Sequence, residues 1–325
     1  MPARPVRRSL VVAALLCATV LVAPGAQAGG HDPVIVAVGD LACQSFPQGQ
    51  GTATCQSERI ADLIRDIDPD RFLALGDIQY NNAKLSEFLR VWDKQFGDLV
   101  DITSPAPGNH EYGTSGAADY FEYFGERANP DGTDPPTGYY SFDLGEWHIV
   151  SLNSDVCGDD PGCGPGTPQH DWLMADLGAS DADCTLAYMH HPRYDWRPWQ
   201  KWVDEHDTTP NGGSEIRPLI PLWRLMYDRG VDVVLSAHNH LYQRWAPQDG
   251  RGNVVADGTV QFTVGTGGRS LYSFGRPPRP DNLEVTQNKA YGLVQMTLHD
   301  GSYDYRWISA DGQPTFEDSG TVACN

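Results

Sequence analysis

Residues 73–81 read LALGDIQYN, an apolar run that closes on glycine, the acid Asp77 and, three residues later, Tyr80. A short apolar run bounded by Gly-Asp reads as a buried parallel strand, and the carboxyl end of such a strand is where an open α/β sheet places its chemistry. The stretch PVIVAVGD, residues 33–40, has the same form and closes on Asp40. Between the two lies SERIADLIRDIDP, in which Ile60, Leu63, Ile64 and Ile67 fall on one helical stripe. Ser57 stands as its N-cap and Pro69 lies beyond its end. Strand, helix and strand together predict a βαβ unit and an α/β fold.

The same reading extends along the chain. Leu85, Phe88, Leu89, Trp92 and Phe96 share a helical face. A further helix opens at Thr167-Pro168, cap then N1 proline, and runs to Leu177. PLIPLWRLMYDRG reads as another, stopped by Gly230. Strands are predicted at CTLAYMHH (184–191), VDVVLSAHNH (231–240) and VQFTVGTGG (260–268), and hairpins turn around Leu144-Gly145 and at Asp300-Gly301. No repeat, low-complexity tract or linker interrupts residues 29–325, which are expected to form a single domain. The polar segment 193–217 is long enough to read as a lid or binding loop.

The first 28 residues read as a secretory signal peptide. Arg4, Arg7 and Arg8 precede an apolar run from Leu10 to Ala23, and Ala26-Gln27-Ala28 supplies a small-residue cleavage site. The run approaches the length of an uncleaved anchor, but the A-x-A ending favours cleavage after Ala28. Arg7-Arg8-Ser9-Leu10-Val11 also resembles a twin-arginine export signal, and Leu16 before Cys17 argues against a lipoprotein anchor. Of 325 residues 43 are acidic and 23 basic, a formal charge of −20; loss of the three arginines leaves 43 against 20, or −23. Such a field repels polyanions, so neither nucleic-acid polymers nor anionic membranes are expected partners, and an anionic substrate needs local attraction. Cys43, Cys55, Cys157, Cys163, Cys184 and Cys324 survive cleavage, an even number that suggests three disulfides in an exported chain. Of the fifteen pairings, Cys43–Cys55 and Cys157–Cys163 are favoured because they close short loops rich in Gly and Pro, which leaves Cys184 to Cys324. A cysteine metal site would lack any C-x-x-C pattern.

Five segments place metal-ligating residue types just after strands: GDLA (Asp40), GDIQY (Asp77, Tyr80), GNHE (Asn109, His110), AYMHHP (His190, His191) and SAHNH (His238, His240). A lone Gly-Asp is more often a turn, and a lone buried histidine is more often a hydrogen-bonded structural residue. Five such segments in order carry more weight. Carboxylate, imidazole, amide and phenolate donors suit hard or borderline ions such as iron, zinc and manganese. A carboxylate shared by two ions gives the two-metal clamp of phosphoryl transfer.

This order and spacing resemble the calcineurin-like metallophosphoesterase superfamily and, within it, the purple acid phosphatase branch. The family pattern GD-x-G, GD-x-x-Y, GNH-E/D, V-x-x-H, GH-x-H appears here as G-D-L-A, G-D-I-Q-Y, G-N-H-E, A-Y-M-H and A-H-N-H, from Gly39 to His240. The resemblance implies a four-layer α/β/β/α sandwich with a dimetal centre at the carboxyl ends of the strands. It implies an Fe(III) ion on Asp40, Asp77, Tyr80 and His240, and a divalent ion (Zn, Fe or Mn) on Asp77, Asn109, His190 and His238. Asp77 would bridge the two. Where much of the superfamily has a histidine this chain has Ala42, and the purple branch fills that place with a tyrosine, here Tyr80. His110 would contact phosphate and stabilise the leaving oxygen, with a structural supporting role as the other reading, and Glu111 would support the ligands. The implied activity is that of a secreted phosphatase: in-line attack of a metal-bound hydroxide on a small phosphate monoester. A phosphodiesterase or nucleotidase on the same centre is the alternative. A binding protein with structural metals is the remote one, since calcium would want mostly oxygen ligands.

Several residues stand outside the motifs. Ala187 and Ala237 replace the family's Val and Gly, and His190 is preferred to His191 for its spacing to Pro192. The family's further substrate histidines have no match here; His191 and His206 are candidates, each either a general acid or a surface residue. Arg193, Arg244 and Arg269 are candidates to grip substrate oxygens, with ion pairs or solvent contacts as the plainer reading. The glycines of VGTGGRS (264–270) serve either an anion or a turn. Tyr194, Trp196, Trp199 and Trp202 line either a pocket or a core.

Overall fold

A computed structural model describes residues 31–43, 55–158, 163–196, 206–208, 214–274 and 278–325, with backbone only at 206–208 and 214–217. The expected signal peptide, residues 1–28, lies outside them, as do Trp199 and Trp202. Asp32–Asn325 is one compact unit.

In chain order the strands are β1 (Val34–Val38), β2 (Arg71–Leu75), β3 (Thr103–Ala106), β4 (Tyr140–Leu144), β5 (Trp147–Ser151), β6 (Cys184–Tyr188), β7 (Tyr194–Asp195) and β8 (His206–Thr208). They continue with β9 (Ser214–Ile216), β10 (Val233–Ser236), β11 (Tyr242–Trp245), β12 (Val260–Val264), β13 (Leu283–Gln287), β14 (Gly292–His299), β15 (Ser302–Ser309) and β16 (Ser319–Ala323). One sheet has the order β16-β15-β14-β1-β2-β3 and another β13-β11-β12-β10-β6-β5-β4. β1, β2 and β3 are parallel, with Val36 opposite Phe72 and Leu73 opposite Ser104. β5, β6, β10 and β12 are parallel in the second sheet.

Burial on both faces explains why these strands are apolar runs and not alternating ones. A single core joins Ala37 and Leu73 of the first sheet, Leu186, Leu235 and Phe262 of the second, and Ile60, Ile64 and Trp92 from the helical segments over the first sheet. The second sheet's other side, through Val150, Ala187 and Val234, packs on Leu173, Leu222, Trp223 and Met226 of helices Pro168–Ala179 and Ile220–Asp228. The layers are therefore α/β/β/α, two mixed sheets face to face with helices outside. Disulfides join Cys43–Cys55, Cys157–Cys163 and Cys184–Cys324.

Two local readings are corrected, and two are refined. Ser57 is the first residue of helix Ser57–Ile67 and not its cap; its buried hydroxyl donates to Gln95 Oε1 at 2.9 Å. Leu89 is 51% exposed, because the segment 85–96 is not a regular helix. A π-helical turn at Phe88–Trp92 inserts a residue and moves the buried stripe to Phe88, Val91, Trp92 and Phe96. Thr167 occupies the cap position with Pro168 at N1, but its hydroxyl turns back to the Gly164 carbonyl at 2.8 Å. Within the segment 193–217, β7, β9 and β8 form a small antiparallel sheet.

The hairpin β4–β5 is tied to helix Pro168–Ala179 by His148, whose Nδ1 lies 2.8 Å from Asp143 and Nε2 2.9 Å from Asp176. The Asp176 bond, opposed by burial and helped by Asp143, holds the imidazolium above its ordinary value of 6.5. A folded-state pKa above the unfolded one stabilises the fold fully below about pH 6.5 and less as pH rises through the raised value. His148→Gln is therefore expected to lower the urea midpoint at pH 6 and to have little effect at pH 9. Equal losses at both pH values would refute the charged pairing.

Candidate metal centre

The centre is built at the carboxyl ends of β1, β2 and β10. After each strand the chain leaves extended geometry abruptly: φ is 59° at Asp40, 48° at Asp77 and 63° at His238. A left-handed backbone at non-glycine residues costs about 1–3 kcal/mol each, so the surroundings must hold it. The loops after β1 and β2 continue the parallel ladder. Asp40 N–H donates to the Gly76 carbonyl at 3.1 Å, Leu41 to Asp77 at 3.0 Å, Ala42 to Ile78 at 2.9 Å and Tyr80 to Ala42 at 2.8 Å. The Tyr80 backbone thus stands beside Ala42. Gly108 is required by close approach: a Cβ there would lie 2.4 Å from Asp77 N and 2.5 Å from Asp77 Oδ1. Gly39 likewise faces Ala237, whose Cβ would be 2.5 Å from its own.

Two groups of donor atoms converge across this edge. In the first, the Tyr80 hydroxyl lies 2.6 Å from Asp40 Oδ1, 2.9 Å from Asp77 Oδ2 and 3.1 Å from His240 Nε2. In the second, Asn109 Oδ1 lies 3.2 Å from His190 Nε2 and 3.0 Å from His238 Nδ1. His190 Nε2 is also 3.2 Å from Asp77 Oδ1. Asp77 gives one oxygen to each group. Two rings are oriented from behind: His190 Nδ1 donates to the Leu75 carbonyl at 2.9 Å and His240 Nδ1 to the Ser270 carbonyl at 2.8 Å. A carbonyl only accepts, so in both rings the proton sits on Nδ1 and Nε2 is turned toward the acids.

The donor set fits a pair of cations. Asp40 Oδ2 is buried without a hydrogen-bond partner among the described residues, an expensive condition for a carboxylate unless a cation meets it. Burial pushes the Asp77 acid up, but His190 and His110 outweigh it and hold the carboxyl below the ordinary range. Burial pushes the His190 imidazolium down, and Asp77 and Asp40 reverse this, bringing it up to about 10. Burial, with Asp40 and Asp77 beside it, drives the Tyr80 phenol well above its ordinary value. Ionising that phenol therefore needs a cation in the first group.

The flanking residues divide. His110 packs on the Tyr80 ring at 4.2 Å between centroids, donates its main-chain N–H to Asp77 Oδ1 at 2.9 Å, and contacts the Asn81 carbonyl through Nδ1. His191 lies against the second group, its ring 4.3 Å from that of His238 and its Nδ1 3.0 Å from Ser154 Oγ. Arg193 is buried and lies over the Tyr194 ring at 4.7 Å, whereas Tyr194 packs in the core on Trp223 and Trp245. Trp196 stacks on Phe274 at 5.8 Å. Arg244 is engaged by Asp318 at 2.9 and 3.0 Å and by Glu284, which makes it a structural ion pair. The amides of Gly265, Gly267 and Arg269 donate to Leu241, Gly39 and Asp40 carbonyls, so these three shape the turn. Of His206 the structure places only the backbone, in β8. Two contacts carry no sequence signal: Tyr272 stacked on His240 at 4.1 Å, and Ser154 on His191.

Residues 33–242 match the calcineurin-like phosphoesterase family, and the chain belongs to that family. Its relatives narrow the class: purple acid phosphatase 22 of Arabidopsis thaliana is 29% identical over 257 residues, 73% of this chain and 53% of that one. The chain thus spans about half the length of the curated relatives it matches. The purple acid phosphatase PPD1 of yellow lupin (Lupinus luteus) has the same fold, with a TM-score of 0.68 at 18% identity over 90% of this chain and 53% of that one. GAP50, the anchor in the inner membrane complex of Plasmodium, shares it with a TM-score of 0.59 at 12% identity over 90% and 89%. Purple acid phosphatases use a dimetal centre.

Glu111 holds the scaffold of the centre. Buried completely, it accepts the amides of Asp77 (2.9 Å) and Gly108 (2.7 Å) on one oxygen and of Ile78 (3.0 Å) and Gln79 (3.2 Å) on the other. Burial and Asp77 push its acid up to about 8 against those amides. Each oxygen already takes two donors, so the cradle accommodates the ionised form. Glu111→Gln turns an acceptor into a donor facing two N–H groups and is expected to cost about 2–4 kcal/mol. An unchanged denaturation midpoint at pH 9 would show that the cradle does not need the carboxylate.

Proposed function

We propose that the chain is an exported, metal-dependent phosphatase that hydrolyses small phosphate monoesters. The observation that carries this is the division of donors about Asp77: two carboxylates, a phenol and an imidazole on one side, and an amide and two imidazoles with the shared acid on the other. We assign Asp40, Asp77, Tyr80 and His240 to Fe(III), because carboxylates and a phenolate suit a hard trivalent ion. Asn109, His190, His238 and Asp77 suit a divalent ion, zinc, iron or manganese. When bound, such a pair polarises phosphoryl oxygens and supplies a nucleophile from water at moderate pH.

The chain's own residues do the rest. Asp77 fixes the spacing of the two groups with its two oxygens, and Glu111 fixes Asp77 through its amide. His110 Nδ1 is taken by the Asn81 carbonyl, so Nε2, 3.7 Å from Asp77 Oδ2, is the nitrogen left to face substrate. That ring is 30% exposed, at the open side of the centre. From there it donates to the oxygen that leaves as the P–O bond breaks, and the alkoxide departs as an alcohol. His191, oriented by Ser154, faces substrate beside His238, and Arg193 lies buried over the Tyr194 ring.

Export is supported by residues 1–28 and by the three disulfides, which persist in oxidising compartments. On this reading residues 29–325 are the catalytic domain. No helix among the described residues is long and apolar enough to cross a membrane.

The test is hydrolysis of 4-nitrophenyl phosphate and bis(4-nitrophenyl) phosphate by the metal-loaded chain. The monoester is expected to be the better substrate, and Asp77→Asn to lower its kcat/KM by at least about 10²-fold, as loss of a group that stabilises transition-state charge does. Equal rates for wild type and Asp77→Asn would remove the dimetal reading; a faster diester would replace phosphatase by phosphodiesterase.

A further inference from the structure

Arg269 has a guanidinium that no carboxylate neutralises among the described residues. Its central carbon lies 4.9 Å from the centroid of the Tyr80 ring, and the side chain is half-buried. Two other half-buried arginines are paired with acids, Arg244 with Asp318 and Glu284 and Arg65 with Asp98 and Asp62, whereas Arg71 lies over the Phe142 ring, away from the centre. A partly desolvated cation is costly to leave unpaired in a chain with 43 acids, and among the described residues the guanidinium meets an aromatic face.

Its placement is built from three sides. The main-chain N–H of Arg269 donates to the carbonyl of Asp40 at 3.0 Å. Cys55 pairs with Arg269 as an antiparallel bridge, and the disulfide Cys43–Cys55 joins that bridge to the loop three residues beyond Asp40. The next residue, Ser270, turns its carbonyl to His240 Nδ1. The backbone that carries the guanidinium is therefore fixed to two residues of the first donor group, and the guanidinium lies over the ring of a third, Tyr80.

We propose that Arg269 is a phosphate-binding residue of this centre, a guanidinium held on the Tyr80 ring to take a non-bridging oxygen of the substrate. This rests on the phosphatase reading above. A planar fork offers paired N–H donors to a tetrahedral oxyanion, which a lysine does as a point charge only. In a protein of formal charge −20 it also supplies the local attraction that an anionic substrate needs.

The experiment is equilibrium dialysis of radiolabelled inorganic phosphate against the metal-loaded full chain, with metal analysis on the same samples, for wild type, Arg269→Gln and Arg269→Lys. The expected result is a Kd raised about 10- to 100-fold in Arg269→Gln, the worth of a hydrogen bond to a charged group, with metal content unchanged. Arg269→Lys should recover part of the affinity, and KM for 4-nitrophenyl phosphate should rise in the same order. Wild-type affinity in Arg269→Gln overturns the proposal and leaves the phosphatase reading standing. Loss of metal together with phosphate also overturns it, by making Arg269 a support of the first donor group. Failure of the metal-loaded wild type to bind phosphate or hydrolyse the ester overturns the functional reading itself.

Discussion

The carboxylate of Asp77 faces two groups of donors at once, and the geometry of this edge of the sandwich follows from keeping it there. Its backbone is in the left-handed region at φ 48°, and its Oδ1 accepts the His110 amide while facing His190. Its Oδ2 faces the Tyr80 hydroxyl. The restraint comes from Glu111, which gathers the amides of Asp77, Ile78, Gln79 and Gly108 and thereby locks the loop after β2 to the loop after β3. Gly108 completes the fit by leaving space where a side chain would strike Asp77.

The fold serves that restraint. Parallel strands buried on both faces bring their carboxyl ends to one edge, and their loops need not pack, so they are free to carry polar side chains. The cost is a buried collection of acids and imidazoles that sustain one another's ionisation: Asp77 keeps His190 protonated, and His190 keeps Asp77 ionised. Such a group is stable only with its partners in place or with cations to replace the protons. The same fold in GAP50, at 12% identity, shows that architecture alone does not set a role. The functional reading here rests on donor chemistry.

Much of this was legible in the chain because strands buried on both faces leave a distinctive text. PVIVAVGD and RFLALGD are apolar to the last residue and then polar at once, and the positions after them are those the structure gathers at the edge. The carboxyl ends of β6 and β10 are marked the same way by His190 and by His238 with His240. What could not be read is what depends on non-local contacts. Leu89 fits an ideal helical face and is exposed because a π turn shifts the register. Ser57 has a cap's chemistry but finds Gln95 instead. Glu111 is one acid among 43 acidic residues until four amides from two loops point at it, and Tyr272 on His240 joins residues with no shared pattern. The small sheet in 193–217 is three strands of two or three residues each, too short for periodicity to mark.

The measurement that tests the account most directly is the visible absorption spectrum of the protein loaded with iron and zinc and kept oxidised, with metal analysis, for wild type and Tyr80→Phe. The account predicts a tyrosinate-to-Fe(III) charge-transfer band in the wild type that disappears in Tyr80→Phe while a second metal is retained. Stoichiometric Fe(III) without such a band, or a band that survives in Tyr80→Phe, would contradict the assignment of Tyr80 and of the first donor group built around it.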